Sequence, residues 1–589
     1  MVPGSPRRVE WWPPAIAAVA VAAYLPALRA GLVFDDHVLV EGNRFLRGPL
    51  WKIWFTTATS DYWPVTWSAL WLEWRLWGDR ALGYHVTNVA LHAAAAVLLW
   101  VILRRLRVPG AGLAGLLFAV HPVAVESVAW ISEQKNTLSA VLLECSVLSW
   151  LGADDDRQAR RYGLALLLFA LALLAKGSVV MAPVVLVGLE LARRRRLDRT
   201  TLLRLAPFFG LSLAAGLANV WFQSHNAMAG GWAPDRSLGV RLAGAAWALL
   251  SYVQKAYLPV HLAIIYPDWP VSPDSPLFYV PAAGVLLVAG FLAWAVHRWS
   301  WARPCSWALG YQAVQLLPVL GLVDMAFSAI APVSNHLQYL ALMGPVALMG
   351  TGADAVARRS PTTARAVGAV VVLAFGATTF HRAGAFSDDH TLWTSAVREA
   401  PRSVYARLQL AGELVEEGDV PGAAAELGEA AAYARDPADR HRLRAQAALY
   451  AGRPVDAVGE AREALRLGGN PEVRRDAAVI LVQTGNASEA IPVLQALVRA
   501  APGASDYTYW LAAALSRAGR IGEGLEVLRT WCRERPGHPR MERTLAVLLV
   551  RLGRPDEARE RAAIEAGVAP SDPRSAARLE EWLRAQRGR

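Results

Sequence analysis

Eleven apolar stretches, each near the ~20 residues that a helix needs to cross a bilayer, fill the first two-thirds of the chain. They lie at about 12–30, 84–103, 111–131, 137–152, 162–175, 178–192, 203–222, 278–296, 304–323, 336–352 and 366–382. With 54% hydrophobic residues and a mean hydropathy of +0.27 over 589 residues, the chain is too apolar to be an ordinary soluble protein. The expected fold class is all-α: a polytopic transmembrane helical domain over 1–385, then a second domain over 386–589. Many of the 24 Trp sit at the ends of the apolar runs and in the loop 51–77, the place of side chains at a headgroup boundary.

Lys and Arg collect in short cytoplasmic loops, and this sets the orientation. Arg7/Arg8, Arg104/Arg105/Arg107, Arg157/Arg160/Arg161, Arg193 to Arg196, Arg298/Arg303 and Arg358/Arg359/Arg365 all fall on one side if the eleven runs are spans. Residues 162–192 are too long for one span, short for two, and have Arg clusters at both ends, so a tight hairpin with "AKGS" at its outer tip is expected. Counting 241–260 as a span would move Arg298 and Arg303 outside, so that run is expected to be re-entrant or interfacial. The N-terminus is then inside and the tail outside. The net charge of +11 is accounted for by inner-face arginines, and no nucleic-acid partner is needed. Reading 1–30 as a cleaved signal peptide ending at "LRAG" is disfavoured by the length of the run and the spans that follow. Cys145, Cys305 and Cys532 suggest neither disulfides nor a metal-ligand spacing.

From about residue 388 the chain becomes rich in Ala, Leu, Arg and Glu, and a period emerges. "GDVPGAA", "GRPVDAV", "GNASEAI", "GRIGEGL" and "GRPDEAR" begin at Gly418, Gly452, Gly485, Gly519 and Gly553, a tetratricopeptide spacing. A small residue follows five positions after each glycine: Ala423, Ala457, Ala490, Gly524 and Ala558. Pro401, Pro502, Pro536 and Pro570 fall where second helices should stop. Such repeats stack into a superhelix whose hollow face takes a peptide or protein; a scaffold without chemistry is the plain reading of this part alone.

The acidic pair in "GLVFDDH", Asp35 and Asp36, lies directly after the first run. A lone Asp there would be a turn or cap residue. Two neighbours repel, so one should rise in pKa unless a cation holds both ionised; either outcome suits a proton acceptor or a metal ligand. The same face carries "HPVAVESVAWISEQKN", from His121 through Glu126 to Glu133, Lys135 and Asn136, and Lys176 at its hairpin tip. Glu126 lies in or near a span, where an ionisable group is costly and a functional candidate, although pairing that fixes packing is the alternative. The lysines are either phosphate-facing or ordinary snorkelling residues. His85 and His92 share one helical face seven residues apart, and packing suits His92 better than zinc.

These residues carry a resemblance. "FDDH", "YHVTNVALHA", "FAVHPVAVESVAWISEQKNTLSA" and "LLAKGSVVMAPVVL", followed by the repeats, resemble the bacterial relatives of the transmembrane-and-tetratricopeptide O-mannosyltransferases, of the C-type glycosyltransferase superfamily. The resemblance implies a multi-pass enzyme of the bacterial inner membrane that passes a sugar from a polyprenyl phosphate to an acceptor, such as protein Ser or Thr, on the extracytoplasmic face. It implies that Asp35 and Asp36 are the catalytic or metal-associated motif, one of them the base, with Lys135 or Lys176 near the donor phosphate. Beside it, Glu126 is expected to be catalytic, Asp36 to hold any divalent cation (Mg or Mn), and His121, Glu133, Lys135, Lys176, His336 and Tyr339 to bind substrate. The late outer loop reads "SNHLQYL", with His336 and Tyr339 where relatives commonly have Asp-Arg or Glu-Arg before a Tyr-rich stretch. Gln134 stands where many have Arg. An Arg fork grips phosphate in a way that His or Gln does not. Two functions are therefore carried forward, this glycosyltransferase and a non-catalytic membrane scaffold that recruits partners through its repeats. Acidic and basic residues lining one chamber would favour the enzyme.

Overall fold

A computed structural model describes residues 11–587, apart from 58, 60, 153–157, 195, 228–236 and 567. Every regular element among the described residues is helical. Two compact units divide at Ala406 and Arg407, about twenty residues after the boundary expected at 385, because helix Asp389–Glu399 packs within the first unit.

Six helices are long and apolar enough to cross a membrane: Ala81–Arg105, Gln158–Ala175, Arg199–Asn226, Pro276–Ala295, Leu340–Ala357 and Pro361–Phe386. This is the make-up of a multi-pass membrane protein. Ala111–Ala119 and Pro122–Ala129, bent by 43°, add a seventh if taken as one broken span. The other apolar runs hold shorter or more polar helices. Trp12–Ala23 has 12 residues, Ala182–Arg194 has 13, Ala302–Leu316 has 15, and Gln134–Leu151 carries Lys135 and Glu144. Leu238–Tyr257 is one unbroken helix rather than a re-entrant loop. It is not among the six apolar spans; Arg241 near its start pairs with Asp324 at 2.8 Å, and Lys255 near its end lies 4.2 Å from the Tyr266 ring centre.

The hairpin expected at "AKGS" is present. Gln158–Ala175 ends at Lys176, the short turn Gly177–Met181 follows, and Ala182–Arg194 returns. Arginines and Lys176 therefore sit at opposite ends of the same helices. In this hairpin Arg160 and Arg161 lie near the start of Gln158–Ala175 and Arg193 and Arg194 close Ala182–Arg194, while Lys176 lies at the other end of both.

Close backbone approach fixes one inner contact. Gly110 has φ +72, and a Cβ added there would lie 2.0 Å from the carbonyl oxygen of Gly350. Left-handed strain of about 1–2 kcal/mol would add to a forced separation of the two helices. Gly110→Ala should therefore lower the thermal midpoint of the detergent-purified protein sharply. Gly163→Ala is the matched control, since nothing lies within 4 Å of its added methyl and Ala favours a helix.

The second unit is a stack of helix pairs. Pro437–Tyr450 pairs with Pro454–Leu467, Pro471–Gln483 with Ala487–Ala500, Ser505–Arg517 with Ile521–Glu534, and Pro539–Arg551 with Pro555–Ala566. The periodic glycines turn each first helix into its second, with φ of +87, +69, +86, +80 and +72 at Gly418, Gly452, Gly485, Gly519 and Gly553, a region open to Gly at little cost. Ala423, Ala457, Ala490 and Ala558 are fully buried, and at Gly524 a Cβ would stand 3.0 Å from the Ala512 carbonyl. An ion-pair ladder links successive first helices: Arg442 to Asp476 at 2.9 Å, Arg475 to Asp506 at 3.4 Å, and Arg540 to Asp506 at 3.0 Å.

Candidate active site

The segment after the first helix is tied down before it reaches its carboxylates. The Gly31 amide donates to the Ser387 carbonyl at 2.9 Å, and His85 Nε2 meets the Gly31 carbonyl at 3.2 Å. The two acids that follow point to different environments. Asp36 is fully buried. One of its oxygens accepts the Ser132 amide at 2.7 Å and the Ser132 hydroxyl, and the other accepts the Val33 amide at 3.2 Å. Asp35 is partly buried, and its side chain makes no hydrogen bond among the described residues.

Burial pushes Asp36 up to about 7, with repulsion from Asp35 the smallest cause. The acid pair thus splits mainly by solvation rather than by mutual repulsion. The sign follows from linkage: a carboxyl whose folded value lies above its ordinary 3.8 stabilises the fold fully below that value, and the stabilisation is lost as pH rises through about 7. Asp36→Asn cannot ionise. Wild type should lose about 2 kcal/mol more than the variant between pH 5 and 8, read from thermal midpoints across that range.

Asp35 lies within electrostatic reach of an ionic cluster built on the stretch between the bent pair and Gln134–Leu151. Glu133 is its centre, 2% exposed. Its Oε1 lies 2.6 Å from Lys135 Nζ, its Oε2 accepts from Asn136 Nδ2 at 2.7 Å and from Lys176 Nζ at 3.3 Å, and His336 Nε2 stands 3.8 Å away. Burial would raise Glu133, but His336, Lys135 and Lys176 together hold it far below the usual carboxylate range. Lys135 lies 4.6 Å from the Trp63 ring centre, and Lys176 also donates to Asn136 Oδ1. Burial pushes Lys176 down to about 8, with Glu133 opposing. Burial likewise raises Asp35, partly offset by Lys135, with Glu133 and His336 acting in opposite senses.

Glu126 adjoins this cluster through residues 334–336. Its oxygens accept the Ser334 hydroxyl at 3.0 Å, the His336 amide at 3.0 Å and Asn335 Nδ2 at 2.6 Å, so its acceptor positions are occupied by the late loop. His336 also meets Ser334 Oγ at 2.7 Å and packs edge-on against Trp130 and Phe327. A small, mostly apolar pocket of about 10 Å³, room for one water, lies beside it, lined by Phe34, Trp130, Phe327, Ser334, His336 and Leu392, among others.

Six of the expected residues therefore come together: Asp35, Glu126, Glu133, Lys135, Lys176 and His336. His121 and Tyr339 do not join them. His121 sits at the bend of its helix pair, accepting the Val123 amide at 3.3 Å and meeting the Ala256 carbonyl at 3.0 Å. Tyr339 is buried against Phe118 and meets His92 Nδ1 at 2.8 Å, which makes His92 a packing residue. Sequence reasoning missed Asp61, which is 9% exposed, accepts from Gln223 and lies close enough to Lys135 and Lys176 to feel both. It missed Ser132 as well. A single Asp in a Trp-rich loop gives no local signal.

The donor set does not fit a divalent cation at Asp36. Both of its oxygens are filled by protein donors, and no group of three or more His, Cys, Asp and Glu among the described residues could hold a metal.

A family model described as dolichyl-phosphate-mannose-protein mannosyltransferase matches residues 64–219, a stretch that contains Glu126, Glu133, Lys135 and Lys176. A tetratricopeptide repeat model matches 442–505 and 475–539. Protein O-mannosyl-transferase Tmtc1 of Drosophila melanogaster is 32% identical over 177 residues, 27% of this chain and 20% of that one. Human protein O-mannosyl-transferase TMTC4 is 29% identical over 180 residues, 26% of this chain and 24% of that one. The matched stretch thus spans about a fifth to a quarter of the length of these relatives. Among solved structures, the tetratricopeptide protein YrrB, described as having an unusual peptide-binding site, covers 33% of this chain and 97% of its own at 18% identity, with a TM-score of 0.23. In its membrane segment the chain is similar to protein O-mannosyl-transferases, and in its tail to tetratricopeptide repeat proteins.

Proposed function

We propose that the chain is an integral-membrane glycosyltransferase that moves a sugar from a polyprenyl phosphate to an acceptor hydroxyl, such as a protein Ser or Thr. The observation that carries this reading is the Asp35 carboxylate, with no side-chain hydrogen bond among the described residues, within electrostatic reach of the cluster that Glu133 makes with Lys135, Lys176 and His336. Asp35 takes the proton of the acceptor hydroxyl as its oxygen bonds to the sugar C1. The bond from C1 to the phosphate oxygen breaks, and polyprenyl phosphate leaves with the electron pair. Raised by burial, Asp35 is a better base than a solvated Asp.

The lysines face the departing phosphate in this scheme. Glu133 and Asp61 already lie beside them, so the phosphate competes with two carboxylates for the lysines. Glu126 holds His336 in place. That balance gives the absence of an Arg at Gln134 its physical meaning: this chain grips phosphate with point charges, not a fork.

The face assignment rests on the arginines at the helix ends away from the cluster, which belong inside by the charge rule. The site is then extracytoplasmic in a bacterial inner membrane, with the repeats on the same side holding a protein or peptide acceptor. The test is transfer of labelled sugar from synthetic polyprenyl-phosphate mannose or glucose to hydroxyl-bearing peptides by the full chain in nanodiscs. Transfer is the expected result. A folded protein that transfers from none of these donors would overturn the reading and leave the scaffold.

A further inference from the structure

Asp35 and Asp36 are bracketed by a carboxylate that enters from more than 350 residues away. Asp389 Oδ1 accepts the Phe34 amide at 2.7 Å, and Asp389 Oδ2 meets His37 Nε2 at 2.7 Å. One side chain therefore spans the acidic pair, gripping the residue before it and the residue after it. The other His37 nitrogen meets Glu41 at 2.8 Å. Both ring nitrogens thus face groups that only accept when ionised, which suits an imidazolium donating to each.

The bracketed backbone is not one that the sequence would adopt unaided. Phe34 has φ +53, in the left-handed region that a bulky residue rarely enters. Such strain persists only where the surroundings over-determine it, and the helix that carries Asp389 supplies those surroundings twice. Trp393, one turn further along Asp389–Glu399 and 1% exposed, packs edge-on against the Phe34 ring at 4.9 Å. On its other side, Phe34 stacks on Trp130 at 5.3 Å. Just ahead, Gly31 is bonded to the Ser387 carbonyl. Phe34 is held by its amide and ring and His37 by its imidazole, on either side of residues 35 and 36.

We propose that Asp389 is a positioning residue that fixes the Asp35 loop, so that the carboxylate of Asp35 is aimed at the Glu133 cluster. The proposal rests on the reading of Asp35 as the base. Asp389 touches no reacting atom and acts through the backbone of Phe34 and the ring of His37.

The experiment uses the full chain in nanodiscs, with Asp389→Ala, Asp389→Asn, His37→Ala and the Asp389→Ala/His37→Ala double variant. Hydrogen–deuterium exchange is read on peptides covering 31–42 and, as an internal reference, 130–137. Asp389→Ala should raise amide exchange in 33–38 at least about tenfold and leave the 130–137 peptide unchanged. Where sugar transfer is measured, kcat should fall about 10²-fold, the scale expected when a catalytic group is misplaced by about 1 Å, with the donor KM within about twofold. Asp389→Asn keeps one acceptor oxygen and should fall between wild type and Asp389→Ala. The double variant should match Asp389→Ala instead of multiplying the two losses, because both residues serve one clamp. Unchanged exchange in Asp389→Ala, or multiplicative losses in the double variant, would overturn the proposal. Raised exchange with no transfer by any protein, wild type included, would sustain the clamp while sinking the glycosyltransferase reading.

Discussion

Asp35→Asn should lower the turnover of lipid-phosphate sugar by about 10³-fold, within the range that a positioned general base contributes, and leave the thermal midpoint close to wild type. The asymmetry with its neighbour is the informative part. Asn in place of Asp35 breaks no hydrogen bond, because the Asp35 side chain makes none among the described residues, so the fold has little reason to respond. Asp36 makes three, to Ser132 and Val33. Asp36→Asn places an amide where one carboxylate oxygen had accepted an N–H, and its effect should be seen first in stability and in the ordering of residues 31–42. Two adjacent carboxylates that look interchangeable in the sequence should therefore give opposite signatures: turnover lost with stability kept at 35, stability lost ahead of turnover at 36. Equal losses of turnover with unchanged stability at both positions would contradict the division of roles.

Glu133→Gln carries the second large effect, on stability. Its carboxylate is bonded to two ammonium groups, each on a side chain only 9% exposed. Removing one partner from a buried ionic group strands the other charges and costs about 3–5 kcal/mol. Lys176 keeps Asn136 and both lysines keep the field of Asp61, which argues for the lower end of that range. Adding Lys176→Met removes one stranded charge, so the double variant should be more stable than Glu133→Gln alone. Thermal unfolding of the three proteins in one detergent checks this. A double variant less stable than either single change would show that Lys176 is held by something other than Glu133.

How much of this was legible depends on how far apart in the chain the interacting residues lie. The repeat unit was readable residue by residue because its information is local. A glycine with φ +86 at Gly485 and a buried methyl at Ala490 recur with the period, and each repeat contacts its neighbours. The hairpin at Lys176 was readable for the same reason, since charge at both ends of 162–192 leaves few alternatives. The number of full-length spans was less legible. Mean hydropathy does not show where Lys135 and Glu144 enter a helix, or where His121 bends one. At the site, residue types signalled most of the candidates, but not their roles. Asp36 is tied up by Ser132 and Val33, Tyr339 turns inward to His92, and Asp61 and Asp389 reach the site from loops and helices with no motif of their own. Such pairings are set by tertiary packing, and neighbouring letters do not carry them.

The central claim is a division of labour: buried lysines meet the donor phosphate, and Asp35 takes the proton. Equilibrium binding of a fluorescent polyprenyl-phosphate sugar to the full chain in nanodiscs tests it most directly, comparing wild type, Asp35→Asn and Lys176→Met. Asp35→Asn should bind the donor as tightly as wild type, and Lys176→Met at least about tenfold more weakly, a change of about 1.4 kcal/mol. Donor binding unaffected by Lys176→Met, or abolished by Asp35→Asn, would contradict the account.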